Sequence, residues 1–411
     1  MSGWLGGAGD HVALEFGGRR VRYDELARLV AGAVLPAGDG PIGCRDGDHP
    51  VDTVVTVLAA LDRSRPVLVG GDAHDLGRLA AEAPAGTELA LATSGSTAID
   101  GRPRIVVRTA ASWLESVAPL ARLAGLGADD RIGITGPLTA TMHLFALLHA
   151  LAIGATATDE VATATALHAT PTRLTRLLGG AHVPRTAIVA GGVLPGAVRA
   201  QAAARGVRLV EYYGAAELSF VLAARHGSGP AALEPFPGVE VDLRPAEAGL
   251  ELWARSPFLA LGVIGGRFRR DDAGFATVGD LVERTADGGI RVLGRGDTAI
   301  VTAGATVLAE DVEAHLAGLP GVRDAAVVGE PHALLGERVV AVLDLEPGTS
   351  LAEVVDAARG LLGPVELPRR WFPGPIPRTG SGKPARGVLR EEILAGRRGA
   401  GHPEPVAGAP R

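Results

Sequence analysis

The hydrophobic pattern of residues 51–214 alternates between two periods. Short apolar runs of strand length are separated by longer stretches in which apolar side chains recur at helical spacing, as Trp113, Val117 and Leu120 do. The pattern predicts strands at 66–69, 88–91, 131–134, 186–190 and 207–212, and helices at 142–151, 171–178 and 195–204 besides the one that carries Trp113. Strands that alternate with helices need crossover connections, so we expect an α/β fold with mostly parallel, doubly wound sheets. In such folds ligands bind beyond the carboxyl ends of the strands.

After residue 238 the pattern changes to short β runs separated by turns. We expect strands at 239–243, 250–254, 275–283 and 289–293, which favour antiparallel hairpins in a small β subdomain. A third segment mixes predicted helices at 310–316 and 351–361 with strands at 324–328 and 338–343, which indicates a small α+β domain. We predict a large domain over 1–296, a small C-terminal domain over 297–395 and a disordered tail over 396–411.

The composition is that of a globular protein without a broad basic surface. A chain of 411 residues with 47% apolar and 21% charged residues is expected to form two or three domains with buried cores. A formal net charge of −6 argues against nucleic acid or an anionic membrane as the main partner. No apolar run reaches the ~20 residues of a bilayer span, and we expect a cytoplasmic protein. The single Cys44 excludes an internal disulfide and a multi-thiolate metal site, and we expect a buried thiol.

Lysine occurs once in the chain, at Lys383, although Lys and Arg together number 40. Where arginine has replaced lysine nearly everywhere, a retained lysine points to a position that a planar guanidinium does not suit. A compact ammonium on a flexible stem can lie between two oxygens in a crowded site. From the count alone, the chance survival of one surface lysine is an equal alternative. The flanking sequence Pro-Arg-Thr-Gly-Ser-Gly over 377–382 favours the functional interpretation.

A stretch of small residues, Thr93-Ser94-Gly95-Ser96-Thr97, follows directly on a predicted strand. Successive small residues let backbone N–H groups turn toward an anion, and the hydroxyls add donors, so the stretch suits a polyphosphate. It is not a Walker loop, because no Gly-Lys-Ser/Thr follows. Taken alone, the stretch is also typical of an ordinary turn.

Four further motifs follow in a fixed order. They are Tyr-Tyr-Gly-Ala-Ala-Glu at 212–217, Val-Gly-Asp at 278–280, Gly-Arg-Gly-Asp at 294–297 and Gly-Ser-Gly-Lys at 380–383. In order and spacing the five motifs resemble those of the ANL superfamily of adenylate-forming enzymes, which contains acyl-CoA synthetases, nonribosomal adenylation domains and luciferases. The superfamily motifs run Thr-Ser-Gly-Ser-Thr-Gly, Tyr-Gly-x-Thr-Glu, Thr-Gly-Asp, Gly-Arg-x-Asp and Gly-Lys. The resemblance implies a large nucleotide-binding domain followed by a small, mobile α+β lid.

The resemblance implies a role for each motif residue. Lys383 would contact the attacking carboxylate and the α-phosphate together, and Glu217 would hold Mg²⁺. Arg295 would donate to ribose or phosphate, Asp280 would accept the ribose hydroxyls, and Asp297 would be the hinge of the small domain. The other expected nucleotide contacts are Thr93, Ser94, Gly95, Ser96, Thr97, Arg104, Gly191, Gly192, Gly214 and Tyr213, the last of these against adenine. ATP and Mg²⁺ are therefore the implied cofactors.

The sequence departs from the superfamily pattern in three places. Residues 98–104 read Ala-Ile-Asp-Gly-Arg-Pro-Arg where the pattern is Gly-x-Pro-Lys, so Arg104 stands in place of lysine. Ala216 replaces the threonine whose hydroxyl would reach the adenylate phosphate, which implies slower turnover or an altered geometry. The phosphate-binding stretch also begins early, at residue 93. Part of the subdomain that helps to form a CoA tunnel in the superfamily is therefore expected to be lacking, which argues against CoA as the acceptor.

The acid-binding pocket is expected beside Thr139, His143, Tyr212 and Ala215. No Asp lies in 139–145 to hold an α-ammonium, so an α-amino acid is disfavoured. The small apolar residues there favour an aryl or alkyl acid instead. His143 either gates this pocket or packs as an ordinary helix histidine.

These observations predict an ATP-dependent ligase that forms an acyl adenylate, releases pyrophosphate and transfers the acyl group to a thiol. The thiol would belong to CoA or to the phosphopantetheine of an acyl carrier protein. One alternative is an adenylate former that uses an amine acceptor or activates an inorganic acid such as nitrite for diazotisation. Another is a non-catalytic nucleotide-binding interaction module, which the altered Ala98, Arg104 and Ala216 favour and the retained Glu217 and Lys383 oppose.

Overall fold

The computed structural model describes most of the chain. Outside the described residues lie 1–2, 46, 94–102, 193, 225–231, 247–248, 267, 296–298, 303–304, 333–334, 379–383, 399–401 and 404–411. For residues 172, 294–295, 299, 301, 305–306, 308, 336 and 402–403 only the backbone is described. The expectations for Ser94, Gly95, Ser96, Thr97, Asp297 and Lys383 therefore fall outside the described residues and stay predictions.

Helices and strands alternate in the first half of the chain. The described helices are α1 (Tyr23–Gly32), α2 (Pro50–Asp62), α3 (Ala73–Glu82), α4 (Ala111–Ala124), α5 (Thr141–Ala152), α6 (Pro171–Leu178), α7 (Gly196–Ala204), α8 (Ala309–Ala317), α9 (Leu351–Arg359) and α10 (Arg386–Leu394). The strands up to the end of this half are β1 (Val12–Phe16), β2 (Arg19–Arg22), β3 (Ile42–Cys44), β4 (Val67–Val69), β5 (Leu89–Thr93), β6 (Arg104–Arg108), β7 (Arg131–Gly133), β8 (Thr156–Thr158), β9 (Ala166–Ala169), β10 (Thr186–Val189), β11 (Arg208–Ala215) and β12 (Ser219–Ala223).

The second half is richer in strands. They are β13 (Glu234–Pro235), β14 (Glu240–Ala246), β15 (Gly249–Arg255), β16 (Gly262–Ile264), β17 (Arg269–Arg270), β18 (Ala276–Thr277), β19 (Asp280–Arg284), β20 (Ile290–Arg295), β21 (Ala299–Thr302), β22 (Ala305–Leu308), β23 (Val322–His332), β24 (Gly336–Leu345), β25 (Arg370–Pro373) and β26 (His402–Pro403).

The largest sheet is mostly parallel, as predicted. Its order is β13-β12-β11-β10-β9-β7-β8-β1-β2. The pairs from β11 through β1 are parallel, and antiparallel partners lie only toward the two edges. Helices α6 and α7 pack against β9 and β10 through a buried apolar cluster that includes Leu167, Leu174, Val189 and Val198. This packing follows from the helical spacing of apolar residues in α6.

A second sheet has the order β16-β6-β5-β4-β3. Strands β3, β4 and β5 are parallel, whereas β6 and β16 join antiparallel. Strand β6 was not predicted, because only Ile105, Val106 and Val107 are apolar and an arginine stands at each end. All five of its residues are nevertheless buried. Antiparallel pairing with β5 places Thr93 opposite Arg104 at the ends of the two strands.

The third sheet is antiparallel, and one prediction for it was wrong. Strand β15 pairs antiparallel with both β18 and β19. The single strand predicted over 275–283 is divided into β18 and β19 at Val278–Gly279. Gly279 has a φ of +86°, a left-handed conformation that a continuous strand does not accommodate. Asp280 consequently stands at the first position of β19 rather than inside a longer strand.

The chain divides into two compact units. One comprises 1–244, 252–278 and 284–291, and the other comprises 245–251, 279–283 and 292–411. The second unit contains the sheet β22-β21-β24-β25-β26, in which β23 also pairs with β24. Helices α8 and α9 cover one set of buried side chains of this sheet and α10 covers another. The predicted fold class, an α/β protein with large mostly parallel sheets and a small C-terminal α+β domain, is confirmed.

Three further expectations concern single features. Cys44 is buried and unbonded, as predicted, and burial raises the pKa of its thiol to about 12. Among the described helices, none combines the length and the apolarity that crossing a bilayer requires. Within the predicted tail, His402–Pro403 pair with β25.

Candidate active site

Several of the predicted site residues follow the carboxyl ends of neighbouring strands. Because β7, β9, β10 and β11 are parallel, their carboxyl ends share one edge of the large sheet. His143 lies in the helix that follows β7, and Gly191 and Gly192 follow β10 and are exposed. Gly191 has a φ of +86°, so a residue with a side chain would be strained there. Tyr212 to Ala215 extend β11 beyond its pairing with β10, and therefore lie at the same edge.

A tight hairpin between β11 and β12 presents Glu217. The amide of Leu218 donates to the carbonyl of Ala215 at 3.1 Å, and Ser219 has a φ of +58°. A Cβ atom placed on Gly214 would lie 2.0 Å from the carbonyl oxygen of Ser219, so only glycine fits at this position. The Tyr-Gly-Ala-Ala-Glu motif is therefore a turn whose geometry depends on its glycine.

Glu217 is buried against Arg104, which the sequence had placed in the phosphate-binding stretch. Their side chains are 2% and 7% exposed, and Glu217 Oε1 lies 3.3 Å from Arg104 Nη1. The orientation of this ion pair is not that of a hydrogen bond, and Oε1 accepts no hydrogen bond from the part of the chain that the structure describes. The pair joins the end of β6 to the β11–β12 hairpin. Two motifs more than a hundred residues apart thus meet at one place.

A second buried arginine supports the same hairpin and was missed by the sequence analysis. Arg108, at the other end of β6, is completely buried. Its guanidinium donates to the carbonyl of Ala216 at 2.6 Å and to the hydroxyls of Ser112 and Ser219 at 3.1 and 3.0 Å. Burial lowers the pKa of Arg108 to about 9, and the negative charge of Glu217 offsets part of that shift. The sequence offered only a weak signal, an arginine four residues after Arg104 in a short apolar strand.

The donor set at Glu217 fits a magnesium ion bound together with a nucleotide. Mg²⁺ is usually held by one or two carboxylates, with phosphate oxygens and water completing its coordination. A buried carboxylate oxygen without a hydrogen bond is a ligand of this kind. Among the described residues, no group of three or more His, Cys, Asp or Glu is arranged to hold a metal by itself. Glu217 could therefore act as a single protein ligand rather than as part of a protein cage.

The residues predicted to border the acid pocket include an aromatic and an imidazole side chain, Tyr212 and His143. The ring of Tyr212 lies 4.6 Å from that of Phe220, and burial raises the pKa of the Tyr212 hydroxyl. Thr139 packs near Gly70, where an added Cβ would lie 3.5 Å from its side chain. The Nε2 of His143 lies close to the backbone of Gly136, because a Cβ atom added to Gly136 would lie 2.4 Å from this nitrogen. Both predicted roles of His143, gate and packed histidine, stay predictions.

Two further histidines lie behind this border and were not predicted. His149 and His168 are fully buried, with ring centroids 5.9 Å apart. Phe145 stacks on His149 at 5.8 Å. Burial lowers the pKa of His149 to about 4. The nearby carbonyl of Val117 offsets a small part of this shift. Neither ring nitrogen forms a hydrogen bond with the described residues. Burial also holds the pKa of His168 well below its usual value. Both imidazoles are therefore neutral near pH 7.

The remaining predicted contacts are described singly. Thr93 ends β5, and its hydroxyl donates to the carbonyl of Arg104 at 3.3 Å. Asp280 is buried at the start of β19, in the second compact unit. Arg295 is the last residue of β20, and its side chain lies outside the described atoms. The roles of these residues stay predictions.

The residues that border Lys383 are well anchored in the second unit. Arg378 forms an isolated β-bridge with Pro384, and the amide of Ala385 donates to the carbonyl of Pro377 at 2.8 Å. Arg386 forms a bidentate ion pair with Glu313: its Nε donates to Oε1 at 3.0 Å and its Nη2 donates to Oε2 at 2.5 Å. Both sides of the segment 379–383 are thus fixed to the domain.

Comparison with known proteins bears on the whole chain. The family described as AMP-binding enzyme C-terminal domain matches residues 311–383. The uncharacterized acyl-CoA ligase YhfT of Bacillus subtilis is 28% identical over 334 residues, which make up 73% of this chain and 67% of the relative. The medium/long-chain fatty acid (acyl-carrier-protein) ligase FadD10 of Mycobacterium tuberculosis is 27% identical over 359 residues, 74% of this chain and 63% of the relative. The chain thus spans about two thirds of the length of these relatives.

Solved structures show the same fold. The structure of O-succinylbenzoate coenzyme A synthetase (MenE) from Bacillus subtilis in complex with ATP and magnesium ion matches with a TM-score of 0.77 at 20% identity. The match covers 92% of this chain and 96% of that one. The two-domain fold, the C-terminal family match and the ligase relatives agree with the order of the sequence motifs. The chain is a member of the ANL superfamily of adenylate-forming enzymes.

Proposed function

We propose that the chain is an ATP-dependent ligase that activates a carboxylic acid as an acyl adenylate and transfers the acyl group to a thiol. The observation that carries this proposal is the Glu217 carboxylate, buried at the carboxyl edge of the large sheet with an oxygen that accepts no hydrogen bond from the described residues. An incompletely satisfied buried carboxylate is costly unless a ligand completes its environment. A nucleotide-bound magnesium ion is such a ligand.

The first half-reaction would take place beside Glu217. A carboxylate oxygen of the acid attacks the α-phosphorus of ATP, and the bond from that phosphorus to the pyrophosphate oxygen breaks. Both the attacking and the leaving groups are anionic, so their repulsion must be offset. Mg²⁺ held by Glu217 would neutralise charge on the phosphate oxygens. Arg104 and Arg108 fix Glu217 and its hairpin, and Lys383 would contact the attacking carboxylate.

The other contacts with ATP are proposed from the motif positions. Tyr213 would lie against the adenine, with Gly191 and Gly192 on the opposite side, where the exposed backbone leaves room. Asp280 and Arg295 would bind the ribose, and the stretch beginning at Thr93 would bind the departing phosphates. Ala216 provides no hydroxyl for the adenylate phosphate, so we expect turnover to be modest.

The second half-reaction would pass the acyl group to a thiol. The sulfur attacks the carbonyl carbon of the adenylate, and the bond from that carbon to the phosphate oxygen of AMP breaks. The names of the relatives support either of two thiols, since YhfT is called an acyl-CoA ligase and FadD10 acts on an acyl carrier protein. We therefore propose CoA or a carrier-protein phosphopantetheine as the acceptor, with a small-molecule acid as the substrate.

Acid-dependent exchange of labelled pyrophosphate into ATP tests the first half-reaction directly. The panel should contain aryl, alkyl and dicarboxylic acids, α-amino acids and nitrite. The proposal predicts exchange with at least one carboxylic acid and its loss in Glu217→Gln. Exchange with nitrite alone would identify an inorganic-acid activator, and no exchange with any acid, despite ATP binding, would indicate a nucleotide-binding module. Adding CoA or a phosphopantetheinylated carrier protein then shows which thiol yields a stable thioester.

A further inference from the structure

The first turn of helix α6 carries an arginine, Arg173, that forms an ion pair with no acidic side chain of the described residues. Two other arginines beside the large sheet form ion pairs, Arg185 with Asp130 and Arg199 with Glu211, each at 2.7 Å. Arg173 forms no ion pair within the described part of the chain, and its Nε is buried without a hydrogen-bond partner. Shielding part of a guanidinium from water without an anion is unfavourable. An anion from outside the chain would remove that cost.

Arg173 lies near His143, one of the residues predicted to border the acid pocket. The two residues belong to the helices that follow β9 and β7, which are neighbouring parallel strands. Burial lowers the pKa of His143 to about 4, and the positive charge of Arg173 contributes to the shift. The imidazole is therefore neutral near pH 7, and its Nδ1 is buried without a hydrogen bond from the described residues.

Arg173 and His143 belong to the same end of the large sheet as the residues proposed to contact the nucleotide. Arg173 is two residues after Pro171, and the ring of Pro171 lies near Gly192, where an added Cβ would be 3.7 Å from the ring. His143 lies in the stretch 139–145 that was expected to border the acid. Strand β9, which precedes α6, lies between β10, which Gly192 follows, and β7, which precedes the helix of His143. Arg173 therefore follows the strand between the one that carries Gly192 and the one that precedes His143.

We propose that Arg173 and His143 bind a second anionic group of the substrate, and that the substrate is therefore a dicarboxylic acid. This inference rests on the proposed adenylation of a carboxylic acid. One carboxylate would be activated near Glu217, and the other would receive two parallel N–H donors from the planar guanidinium of Arg173. The neutral imidazole of His143 can add one N–H donor. Among the aryl and alkyl acids expected from the sequence, the substrate would be one whose aryl or alkyl part links two carboxylates.

The test compares each diacid with its half-amide, which has nearly the same size but lacks the second charge. Malonate, succinate, glutarate and terephthalate, each with its half-amide, are assayed by pyrophosphate exchange in the full chain. We expect kcat/KM for the preferred diacid to exceed that for its half-amide by roughly 10- to 100-fold, the range for a hydrogen-bonded charged pair. Equal or better use of half-amides by the wild-type chain would overturn the inference and leave the proposed function standing.

Two arginines of the same helix provide the matched variants. Arg173→Met should lower kcat/KM for the diacid, mainly through KM, to about the level of the half-amide, and should leave the half-amide unchanged. Arg176→Met removes an exposed arginine one turn away and should change neither substrate. Arg173→Lys keeps the positive charge but lacks the parallel N–H donors of the guanidinium, so it should retain part of the preference for the diacid over its half-amide. An equal loss for both substrates in Arg173→Met would contradict the proposed contact.

Calorimetric titration separates failure of this site from failure of the enzyme. Diacid and half-amide are each titrated into the chain in the presence of α,β-methylene ATP, which cannot release pyrophosphate. Binding of the diacid that depends on Arg173, without exchange for any acid, would contradict the proposed ligase and support the anion site. Absence of both binding and exchange would overturn both proposals.

Discussion

Replacing Glu217 with Gln removes one negative charge from a buried cluster that contains two positive ones. Arg108 is completely buried, forms no ion pair of its own within the described residues, and has Glu217 as the nearby charge that raises its pKa. Glu217→Gln removes this compensation and also breaks the buried ion pair of Glu217 with Arg104, while the size of the side chain is nearly conserved. Breaking a buried charge pair by removing one partner typically costs about 3–5 kcal/mol. For a unit of this size we expect Tm to fall by roughly 6–10 °C.

A matched control makes this expectation specific. Glu211→Gln makes the same chemical change in β11, the strand that leads into the hairpin of Glu217. Glu211 pairs with Arg199 at 2.7 and 2.8 Å, but both side chains are partly exposed. A pair of this kind contributes at most about 1 kcal/mol, so Tm should change little. Both variants are compared with the wild-type chain by thermal and urea unfolding without nucleotide.

A double variant separates the structural role of Glu217 from its catalytic one. Arg108→Met together with Glu217→Gln removes both charges, and we expect it to recover part of the lost stability. Pyrophosphate exchange should stay lost in the double variant, because the carboxylate proposed to hold Mg²⁺ is absent. The reasoning fails if Glu217→Gln is as stable as Glu211→Gln, or if exchange returns together with stability.

Three further variants test other features of the fold. Gly214→Ala would place a Cβ 2.0 Å from the carbonyl oxygen of Ser219, so we expect a loss of about 3 kcal/mol in urea unfolding and loss of exchange. His149 has a folded-state pKa of about 4 against 6.5 when unfolded, so it contributes stability above pH 6.5 that is lost as the pH falls toward 4. His149→Leu should therefore flatten the acid limb of the stability profile by up to about 3 kcal/mol, and an unchanged limb would contradict the burial argument. Glu313→Gln should loosen Arg386 and lower the kcat of exchange roughly 10-fold with KM nearly constant; a change confined to KM would oppose a positioning role.

The elements that were predicted best have strong local signals. Helix α6 has the predicted bounds, 171–178, because a proline at its first position and a regular apolar spacing define it without help from the rest of the chain. Strand β10 was predicted to within one residue, since its run is bordered by polar and glycine residues. The parallel arrangement of the large sheet followed from the alternation of such elements.

The features that were missed depend on contacts between distant parts of the chain. Arginine is ordinarily a surface residue, so the burial of Arg104 and Arg108 becomes apparent only when the hairpin that carries Glu217 is placed against β6. The division of the predicted strand 275–283 depends on the left-handed conformation of Gly279, which a Gly inside an apolar run does not reveal. That Arg173 has no ion pair among the described residues likewise becomes apparent only from the structure around it. Sequence motifs thus predicted which residues form the site, but not the buried arginines that lie beside Glu217.

Replacement of the single lysine gives the most direct test of acyl-adenylate formation. Lys383→Arg keeps the positive charge but substitutes a planar group for a compact ammonium. We predict that the wild-type chain exchanges pyrophosphate in an acid-dependent manner. In Lys383→Arg the exchange rate should be lower by roughly 100-fold or more, while calorimetry should still detect ATP binding. Exchange that needs no acid, or that proceeds at the wild-type rate in Lys383→Arg, would contradict the proposed chemistry.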